Sequence, residues 1–131
     1  MRVFLADDQP KVRSALRLLL EQERGLCVVG EAAEAEDLLA QIKATRPDLM
    51  LLDWELPGLA LANSVGSEKH LLLALHAHCP DLRVVALSGQ LEARQAALAA
   101  GADAFVSKGD PPERLLTTLR ALGLKYETAD E

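Results

Sequence analysis

Five residues in this chain could act together on a phosphoryl group, and each stands where a short apolar run ends. Asp7 and Asp8 follow Arg2-Val3-Phe4-Leu5-Ala6, and Asp53 follows Leu49-Met50-Leu51-Leu52. Ser88 follows Val84-Val85-Ala86-Leu87, and Lys108 follows Ala104-Phe105-Val106-Ser107. If these runs are parallel strands, their carboxyl ends share one sheet edge and the five side chains converge. Three carboxylates brought together repel, and at least one pKa rises. A divalent cation relieves that repulsion. Hard oxygen donors in a wet, incomplete cage suit Mg²⁺, which keeps waters and accepts a phosphate oxygen. Lys108 can pair with Asp53 at rest and with a phosphoryl oxygen afterwards. Ser88 offers a hydroxyl that could donate to a phosphoryl oxygen or cap the helix that follows. An aspartate after one strand is commonly a turn residue; the Asp7-Asp8 pair together with Asp53 is the more specific signal.

Such convergence needs strands alternating with helices, and the sequence alternates. Pro10 to Glu23 reads as a helix with Val12, Ala15, Leu16, Leu19 and Leu20 inward and Lys11, Arg13, Arg17 and Glu21 outside. Pro10 suits the first turn, where its missing N–H is no loss. Leu26 to Gly30 reads as a second strand. Glu34 to Thr45 reads as a second helix around Leu38, Leu39 and Ile42, with Glu34 and Glu36 on its polar side. A third helix is expected from near Ser67 to His78 around Leu71, Leu72 and Leu75. Leu91 to Ala100 reads as an alanine-rich fourth helix that Gly101 ends with a left-handed cap. Asp110-Pro111-Pro112 opens a last helix through Leu122, with Leu115, Leu116, Leu119 and Leu122 buried. The pattern implies a doubly wound (βα)5 sheet, parallel throughout, with helices on both faces. In such sheets ligands bind beyond the strand carboxyl ends.

The chain has 131 residues, enough for one domain with a sizeable core. Residues 1–122 are read as that domain and residues 123–131 as a polar tail. A net charge of −6 argues against nucleic-acid binding and against an anionic membrane surface. No apolar stretch approaches the ~18 residues needed to span a bilayer, and no secretory leader opens the chain. A cytoplasmic setting is expected, with Cys27 and Cys79 reduced and acting as small core or helix-end residues. His70, His76, His78 and Cys79 do not complete a zinc site and read as surface histidines beside a small residue. Arg114 and Arg120 on the last helix could serve a partner interface, with a solvated face the plainer reading.

Asp7-Asp8, Asp53, Ser88 and Lys108 resemble the receiver domain of a two-component response regulator. So do Asp53-Trp54-Glu55-Leu56-Pro57-Gly58 and Ala100-Gly101-Ala102-Asp103-Ala104-Phe105-Val106-Ser107-Lys108. Ala6-Asp7-Asp8-Gln9-Pro10 and Gly101-Ala102-Asp103-Ala104 are most similar to receivers of LuxR/NarL-type regulators. The resemblance runs from Arg2 to about Leu122. It implies the flavodoxin-like receiver fold with strand order 2-1-3-4-5. It implies that Asp53 accepts a phosphoryl group from a sensor histidine kinase or phosphotransfer protein, as a switch rather than a turnover enzyme. Asp8 and Asp53 would ligate Mg²⁺, Asp7 directly or through water, with the backbone carbonyl of Glu55 completing the set. Ser88 would then move toward the phosphoryl group, and Phe105 would turn inward behind it. That would bias the face formed by the fourth helix, fifth strand and fifth helix, with homodimerisation one possible output. Whether the receiver stands alone or precedes a DNA-binding region is open.

The chain departs from the family between Asp53 and Ser88, which lie a few residues further apart than usual. The excess is placed in Leu59–Gly66, where the family's Asp-Gly or Asn-Gly is replaced by Leu59-Ala60-Leu61-Ala62. This loop could cover the site, meet a partner or be a neutral insertion. Trp54 either meets a kinase or packs against the neighbouring helix. Three rivals remain. An aspartyl phosphatase would need an Asp-x-Asp pair, but Asp53 is followed by Trp54-Glu55. A flavin binder would need a glycine- and hydroxyl-rich cradle where Asp7-Asp8-Gln9-Pro10 is acidic. A receiver-like interaction module would work without phosphorylation.

Overall fold

The computed structural model describes residues 1–59 and 67–123. Five strands alternate with five helices: β1 (Arg2–Ala6), α1 (Pro10–Glu21), β2 (Cys27–Ala32), α2 (Leu38–Thr45), β3 (Leu49–Asp53), α3 (Ser67–His78), β4 (Arg83–Ser88), α4 (Ala93–Ala100), β5 (Ala104–Ser107) and α5 (Pro112–Ala121). The strands form one parallel sheet in the order β2-β1-β3-β4-β5, as the resemblance implied. All five residues of β3 are buried, as its unbroken apolar run requires of a central strand covered on both faces.

Alternating side chains divide the core. Val3, Leu5, Leu49, Leu51, Val85, Leu87 and Val106 face α1 and α5, where they join Leu20, Leu115, Leu116 and Leu119. Phe4, Ala6, Met50, Leu52 and Val84 face the other way and join Leu38, Ile42, Leu72 and Leu75 of α2 and α3. Ala86, Ala97, Ala102 and Phe105 form a third, smaller cluster beneath α4. Gly101 adopts φ 116° and caps α4 in the left-handed region, as expected.

Several boundaries differ from the sequence expectation. β2 runs on to Ala32 because a bulge between Val3 and Phe4 lets Phe4 pair with Gly30 and Ala6 with Ala32. α2 begins at Leu38, not Glu34. The Ala35 N–H is taken by the Pro57 carbonyl at 2.8 Å, and Asp37 is left-handed at φ 62°. Glu34 and Glu36 therefore lie before the helix rather than on its polar side. α1 ends at Glu21, two residues earlier than expected, and Ala15 is exposed. α4 begins at Ala93, after a turn at Gln90–Glu92. Cys27 is exposed at the start of β2, while Cys79 is buried at the end of α3. His76 contacts the Leu82 carbonyl through Nε2 at 3.0 Å, so it is not a free surface histidine. Of the Leu59–Gly66 segment only Leu59 falls within the described residues, and it is buried in the core beside Leu56.

Candidate functional site: an acidic edge of the sheet

Strand register brings the sequence-predicted residues together. Ala6 pairs with Leu52, so the next residues, Asp7 and Asp53, stand side by side. Ser88 pairs with Ser107, which sets Lys108 just past the same edge. The ladder continues beyond the strands: the Trp54 N–H donates to the Leu87 carbonyl at 2.8 Å, and the Lys108 N–H to the Ser88 carbonyl at 2.9 Å.

Asp7 and Asp53 are almost wholly buried, and Asp8 is exposed. Carboxylate oxygens of all three lie within 4.8 Å of one another. Asp7 Oδ1 accepts the Gln9 N–H at 2.9 Å, and Asp53 Oδ1 accepts the Glu55 N–H at 3.0 Å. Lys108 Nζ bridges the two buried acids, 2.9 Å from Asp7 Oδ2 and 3.2 Å from Asp53 Oδ1. Lys108 is the partner of the buried Asp7 Oδ2, which takes no other donor among the described residues. Burial pushes the Asp53 carboxyl above the usual range, and the Asp7 charge adds to it. The Glu55 N–H and Lys108 act against the rise. Burial disfavours the Lys108 ammonium, yet Asp7 and Asp53 together outweigh it and hold that pKa above the ordinary lysine value.

Ser88 is fully buried. Its Oγ donates to Glu55 Oε1 at 2.7 Å and accepts the Gln90 N–H at 2.9 Å. It is therefore not the cap of α4, which starts five residues later, and no side chain caps that helix. Phe105 lies in the cluster beneath α4, and Ser88 is turned to Glu55. Trp54 is half-buried and packs against both neighbouring clusters.

Two contacts escaped the sequence reading. The Glu55 side chain, expected to matter only through its carbonyl, holds Ser88. Arg13, expected on the outside, donates from Nη1 to the Asp7 carbonyl at 2.6 Å. Its Nε pairs with Glu31 Oε1 at 3.0 Å, and Arg17 pairs with the other oxygen of Glu31. The Arg17 hydrogen bond holds the Glu31 carboxyl below the usual range, with Arg13 assisting against burial. The signal was present in the Arg13–Arg17 spacing of one helical turn. It lacked a partner until β2 extended past Gly30.

The sequence profile of the response regulator receiver domain matches residues 3–120. The chain belongs to the response regulator receiver family. This receiver is 30% identical over 139 residues to the response regulator UvrY of Escherichia coli K12, covering 99% of the chain and 58% of UvrY. It is 34% identical over 125 residues to the DNA-binding transcriptional activator DevR/DosR of Mycobacterium tuberculosis, covering 94% of the chain and 54% of the activator. The chain thus spans little more than half the length of these curated relatives. The isolated receiver domain of RcsB from Salmonella enterica serovar Typhimurium, solved with a phosphomimetic beryllofluoride, has TM-score 0.79 and 26% identity. That match covers 97% of this chain and 91% of the RcsB domain. No helix among the described residues is long and apolar enough to cross a membrane.

Proposed function

We propose that Asp53 is the phosphoacceptor of this receiver, charged by a phosphohistidine on a sensor histidine kinase or phosphotransfer protein. The observation that carries this reading is the buried Asp53 carboxylate, flanked by Asp7 and Asp8 and contacted by Lys108 Nζ at 3.2 Å. A carboxylate oxygen of Asp53 attacks phosphorus. The P–N bond breaks with its electron pair going to the imidazole nitrogen, and an acyl phosphate remains on Asp53. Phosphoryl transfer asks mainly for positioning and charge neutralisation. Lys108 swings between Asp53 and a phosphoryl oxygen, and Ser88 donates to another. Attack of water on the acyl phosphate resets the switch.

The donor set fits Mg²⁺: three hard carboxylate groups whose oxygens lie within 4.8 Å of one another. Asp8 and Asp53 would ligate the ion, Asp7 directly or through water, and the Glu55 carbonyl would complete the protein ligands. When bound, the ion supplies positive charge to the phosphoryl oxygens. Residues 1–122 act as a phosphoprotein switch in the cytoplasm rather than as a turnover enzyme; of the polar stretch expected at residues 123–131, residues 124–131 lie outside the described residues. The output is a changed α4–β5–α5 face, read by a protein partner or a second copy, without direct nucleic-acid contact by this chain.

The test is incubation with a small phosphodonor and Mg²⁺, followed by intact and peptide mass. One added phosphate on Asp53, absent in Asp53→Asn, is the expected result. No label under conditions that label a control receiver would overturn the reading in favour of an interaction module. Steady hydrolysis of phosphomonoesters would favour a phosphatase.

A further inference from the structure

A serine hydroxyl has one proton to donate. In this structure Ser88 donates it to Glu55 Oε1 at 2.7 Å, while the acceptor side of the same oxygen takes the Gln90 N–H at 2.9 Å. The contact is fixed from both ends. Ser88 is fully buried at the end of β4, and its carbonyl is held by the Lys108 N–H. The Glu55 main chain is pinned by its N–H bond to Asp53 Oδ1 at 3.0 Å. Glu55 thus leaves the turn directly after the acceptor aspartate and reaches across to the hydroxyl on the neighbouring strand.

We propose that Glu55 is a positioning residue that latches Ser88 in the resting receiver and competes with the phosphoryl group on Asp53 for its only donor. This rests on the reading of Asp53 as phosphoacceptor. A hydrogen bond to a carboxylate is stronger than one to a neutral acceptor, so the resting contact is a real competitor. A group favours one state of a switch only by interacting differently with the two. The Glu55–Ser88 bond uses the one proton that Ser88 could give to a phosphoryl oxygen, so it favours the unphosphorylated state.

The full 131-residue chain carries its own reporter, Trp54, next to Asp53. Binding of beryllofluoride with Mg²⁺ is followed by Trp54 fluorescence in the unmodified chain, Glu55→Gln, Glu55→Ala, Ser88→Ala and Glu55→Ala with Ser88→Ala. Loss of a charged hydrogen bond that opposes binding should tighten beryllofluoride about tenfold in Glu55→Ala, with Glu55→Gln intermediate. In the Ser88→Ala background the same change should move affinity by roughly twofold or less, since the latch has no partner there. Equal tightening in both backgrounds would mean that Glu55 acts through its charge alone, and no tightening would mean that it does not compete; either result overturns the latch. The amide signal of Gln90 in the unliganded protein is an independent reading. It should move in Glu55→Ala as the Ser88 hydroxyl is released, and an unmoved signal refutes the contact. If the unmodified chain binds no beryllofluoride, the phosphoacceptor reading fails, while the Gln90 amide still decides whether the latch exists.

Discussion

Replacing Gly30 by alanine is expected to destabilise the fold by overpacking, although the substitution is among the smallest possible. A Cβ at Gly30 would lie 2.7 Å from Phe4 Cε2 and 2.8 Å from Phe4 Cδ2, with Thr45 Cγ2 at 3.5 Å on another side. Carbon atoms rest at about 3.5–4.0 Å, so the ring would have to retreat by nearly an ångström. Phe4 is fully buried in the cluster that includes Ile42 and Met50, and a phenyl ring has only two side-chain torsions with which to give way. Overpacking of this kind costs about 1–3 kcal/mol. The lower entropy of an unfolded alanine chain offsets about 0.4–1 kcal/mol of that. The net expectation is a loss of about 1–2 kcal/mol, or roughly 3–8 °C in Tm for a domain of this size. Urea unfolding followed by far-UV circular dichroism measures it directly: the midpoint should fall with the slope unchanged. Adding Phe4→Leu, which removes the obstructing ring edge, should recover at least about 0.5 kcal/mol relative to the sum of the two single changes. A midpoint that stays put or rises in Gly30→Ala would show that the bulged edge of β2 yields freely, and the argument from close packing would be wrong.

Arg13→Ala removes the 2.6 Å bond to the Asp7 carbonyl and should weaken Mg²⁺ binding about tenfold, measured by Trp54 fluorescence. Arg17→Ala, which touches Glu31 but not that carbonyl, should weaken it less; equal effects would mean that the Arg13–Asp7 bond plays no positioning part. The raised Asp53 pKa fixes the sign of a pH effect. A carboxyl whose folded pKa lies above its unfolded value contributes stability below the unfolded pKa, and that contribution is lost as pH rises through the folded one. In metal-free buffer Asp53→Asn should therefore gain stability over the unmodified chain as pH rises from 4 to 7. Parallel urea midpoints across that range would contradict the assignment.

The order of elements and the acidic edge were legible because both depend on local pattern. Apolar runs of strand length alternate with helical periodicity, and parallel strands must present their ends together. What stayed hidden depends on tertiary partners. The start of α2 is set by Pro57, which takes the Ala35 N–H from a distant loop. The end of β2 is set by the bulge opposite Val3 and Phe4. Once that strand was cut short, Glu31 had no place on the sheet, and Arg13 and Arg17 looked like solvated charges. The alternative reading of Ser88 as a helix cap does not hold, because the turn at Gln90–Glu92 separates it from α4. The Glu55 side chain gave no local signal, since its partner lies 33 residues away.

The ladder bonds that continue past the strand ends have a consequence for time rather than for shape. Trp54 and Lys108 clamp the main chain of Leu87 and Ser88 from both sides, so the backbone at the site is held as firmly as the sheet itself. The first unclamped residue is Gly89, where an added Cβ would meet nothing within 4 Å. Release of Ser88 is then a turn about one side-chain bond, whereas any shift of α4 is a collective movement beginning beyond Gly89. Such collective movements run on microseconds to milliseconds, far slower than a single rotamer change. On the proposed function the two are separate in time, so the turn of Ser88 can be complete before the outer helix has begun to respond.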